Sequence, residues 1–396
     1  MSAVANNPPD VLIIGAGISG CAAAYELARE GYKVHVLERY TPGAMASGWT
    51  LAGVRQSGRD PAELPLAQRA VRLWTTLSQR LEADTGYRQH GNLRLARNAA
   101  EVEVIRALVA APANAGLGLR LLEDPADIRE LAPCLSAQVL AASYCASDGH
   151  ADPLATLAAL RAAAERLGVR FSSGVRVSGI TVTSGRVTGV QTEQDGPIAA
   201  GACIAAPGIY INELLQPLGL SIPLRVPMVT VVQTEPLAPL LAPVLGVANA
   251  DLAARQQLDG RLRVTGGAET WHGALEHEQN GNTPRVAPGV ASLGEVIAKV
   301  SAVLPAFAEA RVARIWAGLL DLTPDALPVL DQVPGIEGLV VAAGFSGHGF
   351  GLGPVTGELL CDLVLDRKPG LALDAFRFDR FSAADEAAFA NLSLHG

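Results

Sequence analysis

Ten residues into the chain, the apolar run Val11-Leu-Ile-Ile14 leads straight into Gly15-Ala16-Gly17-Ile18-Ser19-Gly20. The run reads as a buried parallel strand, and the G-x-G-x-x-G turn after it restricts the fold more than any other feature. Gly15 permits the tight turn, Gly17 lets the backbone close on a pyrophosphate, and Gly20 lets helix pack on strand. Ser19 to Glu30 has helical spacing and Gly31 ends it. Lys33 to Leu37 is a second strand, and Glu38 stands at its end, eighteen positions after Gly20 (38 minus 20). An acid there suits a ribose diol and disfavours a 2′-phosphate, so the expectation is a βαβ dinucleotide unit that does not take NADP. The helix N-terminus supplies free N–H groups for the phosphates.

Two further αβ segments follow. In the first, Asp152 caps a helix that Pro153 opens. Strands are expected at Arg170–Phe171, Arg176–Val182, Val187–Gln191 and Ala202–Ala206. In the second, Leu339–Ala343 is a strand, followed by a glycine cluster and a helix from about Pro354 to Leu365. Asn92–Ala96 and Leu262–Thr265 read as strands of a separate sheet, the latter after an Asp259-Gly260 hairpin turn. The expected fold class is α/β, a three-layer dinucleotide-binding Rossmann-type domain with an interleaved antiparallel-sheet substrate domain. Residues 10–75, 145–215 and 320–385 would form the discontinuous dinucleotide-binding domain, residues 76–144 and 216–319 the substrate domain, and residues 1–9 and 386–396 the tails.

Composition narrows the function. With 49% hydrophobic and 18% charged residues, 396 residues build a large core. Net charge is −8 without a basic block, which argues against nucleic acid as a partner. Cys21, Cys134, Cys145, Cys203 and Cys361 form no C-x-x-C pair, so no metal site is expected and reduced thiols are. Met1–Asp10 has no Lys or Arg and reads as no signal peptide. Val11–Tyr25 is broken by glycines and too short to span a bilayer. A cytoplasmic protein without an integral membrane segment is the expectation.

Two features favour FAD over NAD. One is the small-residue turn Ala46-Ser47-Gly48, followed by Gly53-Val54-Arg55. The other is Gly344-Phe345-Ser-Gly347-His348-Gly349-Phe350-Gly351, whose glycines let backbone N–H groups approach a flat ring and which opens a helix able to stabilise charge on it.

With these motifs in place, the chain resembles the FAD-dependent D-amino acid oxidase family, which includes glycine oxidase and sarcosine oxidase. The segments carrying the resemblance run from Val11–Gly20 and Glu38-Arg39 through Asp148–Pro153, Val175 and Ala205–Gly208 to Trp316–Asp325 and Gly344–Phe350. Arg255–Gly267 looks most like the sarcosine oxidase beta-subunit branch, which also holds subunits of hydrogen cyanide synthase, opine oxidase and proline dehydrogenases. The resemblance implies non-covalent FAD, since neither 46–58 nor 316–325 contains Cys or His. It implies oxidation of an amino acid or amine, with oxygen, a quinone or a dye as electron acceptor and a partner subunit or homo-oligomer as context. It places Val175 at the adenine and Gly208 with Arg39 along the cofactor. The family's second-flavin histidine has its nearest match at Ala151, which argues against FMN.

A substrate carboxylate calls for a guanidinium. Arg55, after the flavin-side turn, and Arg255, before the Asp-Gly hairpin, are the candidates, with His348 beside the ring. Trp316 is either a pocket wall or a core residue. His272 and His277 fall in a polar surface stretch, Trp271–Asn282, with no metal expected. Lys33, Lys299 and Lys368 are the only lysines, and none lies in a segment expected to face the ring.

Overall fold

The computed structural model describes residues 8–114, 116–273, 275–277 and 283–382. The tail 386–396 and most of the tail 1–9 lie outside these, as do six of the residues in 271–282, namely 274 and 278–282.

Two large sheets organise the chain. A six-stranded sheet has the order 329–332, 339–343, 202–205, 11–14, 34–38, 170–173. Its five neighbouring strands from 339–343 to 170–173 are parallel, and Val329–Gln332 adds an antiparallel edge. Val11–Ile14 lies at the interior with all four residues buried, as an unalternating apolar run requires. Helices Ile18–Arg29 and Gly349–Val364 pack on one another so closely that a Cβ at Gly357 would stand 2.7 Å from the backbone of Ala22. A hairpin sheet, 177–183, 186–192 and 196–199, lies apart from both large sheets in the pairing.

The local signals act as their chemistry dictates. Asp152 accepts the N–H of Ala155 at 2.8 Å to start helix Pro153–Arg166. Gly31, at φ +87°, ends the first helix, with its N–H bonded to Ala28 O. Gly260, at φ +86°, closes the turn that joins strands Leu252–Gln256 and Arg261–Thr270.

The second sheet has eight strands in the order 312–319, 227–236, 261–270, 252–256, 244–247, 92–96, 141–145, 120–122. It is antiparallel except where 244–247 runs parallel to 92–96. Helix Leu64–Leu81, which carries no motif, buries Trp74, Leu77 and Leu81; the Trp74 indole N–H donates to Gly351 O at 2.7 Å and ties this helix to the glycine cluster.

Several elements differ from the sequence expectation. The C-terminal helix starts at Gly349, not near Pro354, and Pro354 sits inside it. Its early glycines serve contact rather than a turn: a Cβ at Gly353 would stand 2.2 Å from Ile18 Cγ1. Ala46–Trp49 is a short helix rather than a plain turn. The strand expected at 262–265 runs from 261 to 270, pinned by neighbours on both sides. Glu276–His277 pairs with Pro284–Arg285 instead of forming a free loop, and His277 meets the Tyr40 ring with centroids 5.7 Å apart. No helix among the described residues is long and apolar enough to cross a membrane, and no metal-holding cluster is found among them.

Candidate active site

The glycine turn is a cradle of bare backbone. A Cβ at Gly15, which adopts φ +100°, would stand 2.4 Å from Ala206 O, and one at Gly20 would stand 2.0 Å from Gly15 O. The first helical N–H, of Ile18, donates to Ser47 Oγ at 2.9 Å, so the segment after Glu38 folds back over the turn. Glu38 accepts from the N–H groups of Ala16 at 2.7 Å and Tyr40 at 2.8 Å.

A cavity of about 270 Å³ opens in front of this turn. Of the expected cofactor residues, Gly15, Gly17, Ile18, Ser19, Glu38, Arg39, Ala46, Ser47, Val175, Gly208, Phe345, Gly347, Gly349 and Phe350 line it. Ala16, Gly20, Gly48, Val54, Gly344 and Gly351 line neither this cavity nor the one beside it; they stand behind the wall. Their work is packing: a Cβ at Gly48 would meet Gly43 O at 2.2 Å, and one at Gly351 would meet Gly53 O at 3.0 Å. Sequence reasoning missed Tyr40 and Tyr210, which also line the cavity with hydroxyls 3.2 Å apart. The Arg39 guanidinium lies 3.7 Å from the Tyr210 ring centre. Neither tyrosine stands in a motif that would have announced the pair. Trp316 is a core residue: it lines neither cavity, and its indole N–H donates to the Trp49 carbonyl at 3.2 Å.

A second cavity of about 110 Å³ adjoins the first. Thr50, Leu51, Ala253, Gly347 and Phe350 line both. The eight-stranded sheet covers the smaller one with Val244, Leu245, Gly246, Val247 and Leu252, while its polar lining includes Arg55, Arg59, Arg94 and His348. Gly53 lines this chamber too. Burial lowers the proton affinity of these guanidiniums; repulsion from neighbouring arginines adds to it at Arg94, down to about 10, and at Arg55, well below its ordinary range, whereas Glu63 and Asp148 counter it at Arg59.

Two buried carboxylates stand against this charge. Asp148 is fully buried and accepts from Gln56 N–H at 2.9 Å and from the Ser57 hydroxyl at 2.5 Å. Glu63, also fully buried, lies 3.4 Å from Arg59 Nη1, and His348 Nδ1 lies 3.1 Å from its Oε1. Burial works against the Glu63 charge, but His348, Arg59 and Arg55 outweigh it and hold the carboxylate ionised. Burial, with the Arg59 charge, brings the His348 imidazole down to about 4, so the pair is a neutral N–H donating to a carboxylate. Glu63, Arg59 and Arg94 carry no sequence signal of this role.

Arg255 is not brought to the site. It sits on the strand that contributes Ala253, two residues further along, and it is 1% exposed without lining either cavity. Its Nη1 lies 3.1 Å from His150 Nδ1. Burial, followed by the Arg255 charge, brings His150 down to about 3.

A bare-backbone turn, a strand-end acid and a long cavity fit a dinucleotide, and the small cationic chamber against it fits a reacting partner: the layout is that of a cofactor-dependent oxidoreductase. A model of the DAO family, FAD dependent oxidoreductase, matches residues 10–363, and the chain belongs to this family. It is similar to sarcosine oxidase subunit beta of an Arthrobacter species, at 27% identity over 94% of this chain and 91% of that one. It is 30% identical over 94% of its length to the bifunctional protein ThiO/ThiG of Trichormus variabilis, of which it spans 55%. Among solved structures it resembles L-proline dehydrogenase from P. horikoshii, with a TM-score of 0.85 and 27% identity over 95% of this chain and 98% of that one. Glycine oxidase from Geobacillus kaustophilus shares the fold, with a TM-score of 0.85 at 24% identity over 95% and 99% of the two chains.

Proposed function

We propose that the chain oxidises the C–N bond of a small amino acid or secondary amine to an imine, which water then hydrolyses. Bound FAD supplies the redox chemistry, accepting at N5 a hydride from the carbon that bears nitrogen. The observation that carries this reading is the small chamber, in which an alkyl cover faces a cluster of guanidiniums and which shares a wall with the cofactor cavity. Arg55 is assigned to the substrate carboxylate, because guanidinium and carboxylate match in charge and in fork geometry. The cover excludes water, which strengthens that attraction and keeps the substrate in one orientation.

On the cofactor side, Gly15, Gly17 and the N–H groups of the following helix are assigned to the pyrophosphate, Glu38 to the ribose and Val175 to the adenine. The loop Phe345–His348 and the helix it opens at Gly349 are assigned to the ring, the helix N-terminus favouring negative charge there. We further propose the division into a cofactor domain (10–75, 145–215, 320–385) and a substrate domain (76–144, 216–319), supported by the sorting of strands between the two large sheets. Five unpaired thiols among the described residues support a cytoplasmic setting.

The test is anaerobic mixing of the yellow protein with glycine, sarcosine, proline, D-amino acids and opines while flavin absorbance is followed. Bleaching by one of these, with the matching carbonyl product, is expected. A flavin that a chemical reductant bleaches and no amine does would overturn the reading. The similarity to sarcosine oxidase subunit beta favours a second reading, an FAD-bearing subunit active only with a partner chain. Bleaching by the isolated chain rules that reading out.

A further inference from the structure

We infer that His348, oriented by Glu63, is the proton acceptor for the substrate's amine. The inference rests on the reaction proposed above.

The hydrogen bond defines the tautomer. His348 Nδ1 faces both Glu63 oxygens, at 3.1 and 3.0 Å. An ionised carboxylate can only accept, so the ring proton sits on Nδ1 and Nε2 is left with a bare lone pair. His348 lines the small chamber, and Nε2 is buried without a partner among the described residues. A buried acceptor left unpaired is costly, and an amine N–H of a substrate in the chamber would relieve it. Among the ionisable side chains lining the chamber, His348 is the only one that can take up a proton; the other three are arginines.

The reaction needs such a group. An amino acid arrives as its ammonium form, whose nitrogen has no lone pair with which to expel a hydride. One N–H bond breaks, its electron pair stays on nitrogen, and the proton binds Nε2. The nitrogen lone pair then forms the C=N bond as the hydride and its two electrons leave carbon for the bound cofactor. What remains on the protein is an imidazolium against the Glu63 carboxylate.

The surrounding charges time this transfer. Facing the imidazole are Glu63, Arg59 and Arg55, with Arg94 and Asp148 completing the cluster. Three guanidiniums against two carboxylates leave one positive charge in excess, and the helix N-terminus at Gly349 adds to it. That excess opposes an imidazolium in the empty chamber. A substrate carboxylate cancels it, so the base gains strength only when substrate is in place.

Two measurements test this. Histidine ¹⁵N NMR of the wild-type holoprotein at pH 7 should show His348 neutral, with the proton on Nδ1 and Nε2 bare; an imidazolium or an Nε2–H tautomer overturns the inference. The second is the rate of anaerobic flavin reduction against pH, with two amines of different ammonium pKa. In the wild type, the acidic limb should stay fixed when the amine is changed. In His348→Gln, the rate at neutral pH should fall about 10²–10⁴-fold and recover as pH rises towards the amine's own pKa. Glu63→Gln, whose amide can donate to Nδ1 and so move the proton to Nε2, should behave likewise. A wild-type limb that moves with the amine, or a variant rate reduced equally at every pH, overturns the inference while leaving the oxidation intact. A wild-type flavin that no amine bleaches overturns the oxidation itself.

Discussion

Glu38 Oε2 accepts the backbone N–H of Ala16 at 2.7 Å, so the acid at the end of the second strand clamps the turn that follows the first. The carboxylate is placed both to shape the cradle and to face what the cradle holds. Glu38→Ala removes hydrogen bonds to a charged group worth about 1.5–3 kcal/mol each, roughly a ten- to hundredfold loss in FAD affinity for one bond. Gly17→Val acts by volume: a Cβ there already stands 3.1 Å from Ser47 Oγ, which holds the Ile18 N–H. Both variants should purify pale, as read from the ratio of flavin to protein absorbance. Full flavin retention in Gly17→Val would contradict the cradle.

The flavin should come away on denaturation. Among the described residues neither Cys nor His lines the large cavity, and His348, in the adjoining chamber, is engaged with Glu63 through Nδ1. Acid precipitation is expected to leave all yellow colour in the supernatant; colour in the pellet would reveal a covalent link.

Asp321 makes stability depend on pH. It lines the cofactor cavity and accepts the N–H of Gly344 at 2.7 Å, yet burial holds its carboxyl up to about 6. An unfolded aspartate titrates near 3.9. Between about pH 4 and 6 the folded state therefore binds the extra proton. Stability from this group is full below that window, falls as pH rises through it, and stays lower above. Asp321→Asn keeps an acceptor for Gly344 without the charge, and should recover about 1–3 kcal/mol at pH 7.5 but little at pH 4. Thermal melts of the two proteins at both pH values check this, and equal differences at both would contradict it.

Reoxidation should favour a dye or quinone over oxygen. Among the described residues no lysine lines either cavity, and Lys299 is engaged with Asp251 at 3.3 Å. The guanidiniums of the small chamber do bring positive charge next to the cofactor cavity, but Glu63, Asp148 and a bound carboxylate offset it. Substrate-reduced protein mixed with oxygenated buffer should reoxidise more slowly than with dye; oxygen reoxidation at the rate of turnover would identify an oxidase.

Legibility followed distance along the chain. Val11–Ile14, the glycine turn, the helix and Glu38 lie within thirty residues, and each element is specified by its own neighbours: an apolar run, glycines where Cβ atoms would clash, an acid at the strand end. The same holds for Asp152-Pro153 at a helix start and Asp259-Gly260 at a hairpin. Helix Leu64–Leu81 escaped because it has no motif, and its amphipathic pattern serves packing alone.

By itself, then, the sequence determined the dinucleotide unit and the glycine loop that faces it, because local backbone sterics and hydrogen bonding specify both. Only the tertiary structure decided which charges meet. Glu63 and His348 are 285 positions apart, and nothing local separates Glu63 from a solvated glutamate or Arg94 from a surface arginine. Arg55 and Arg255 look alike as candidates in the chain. One lines the chamber and the other is buried beside His150, because strand register and sheet position fix the depth at which each side chain ends.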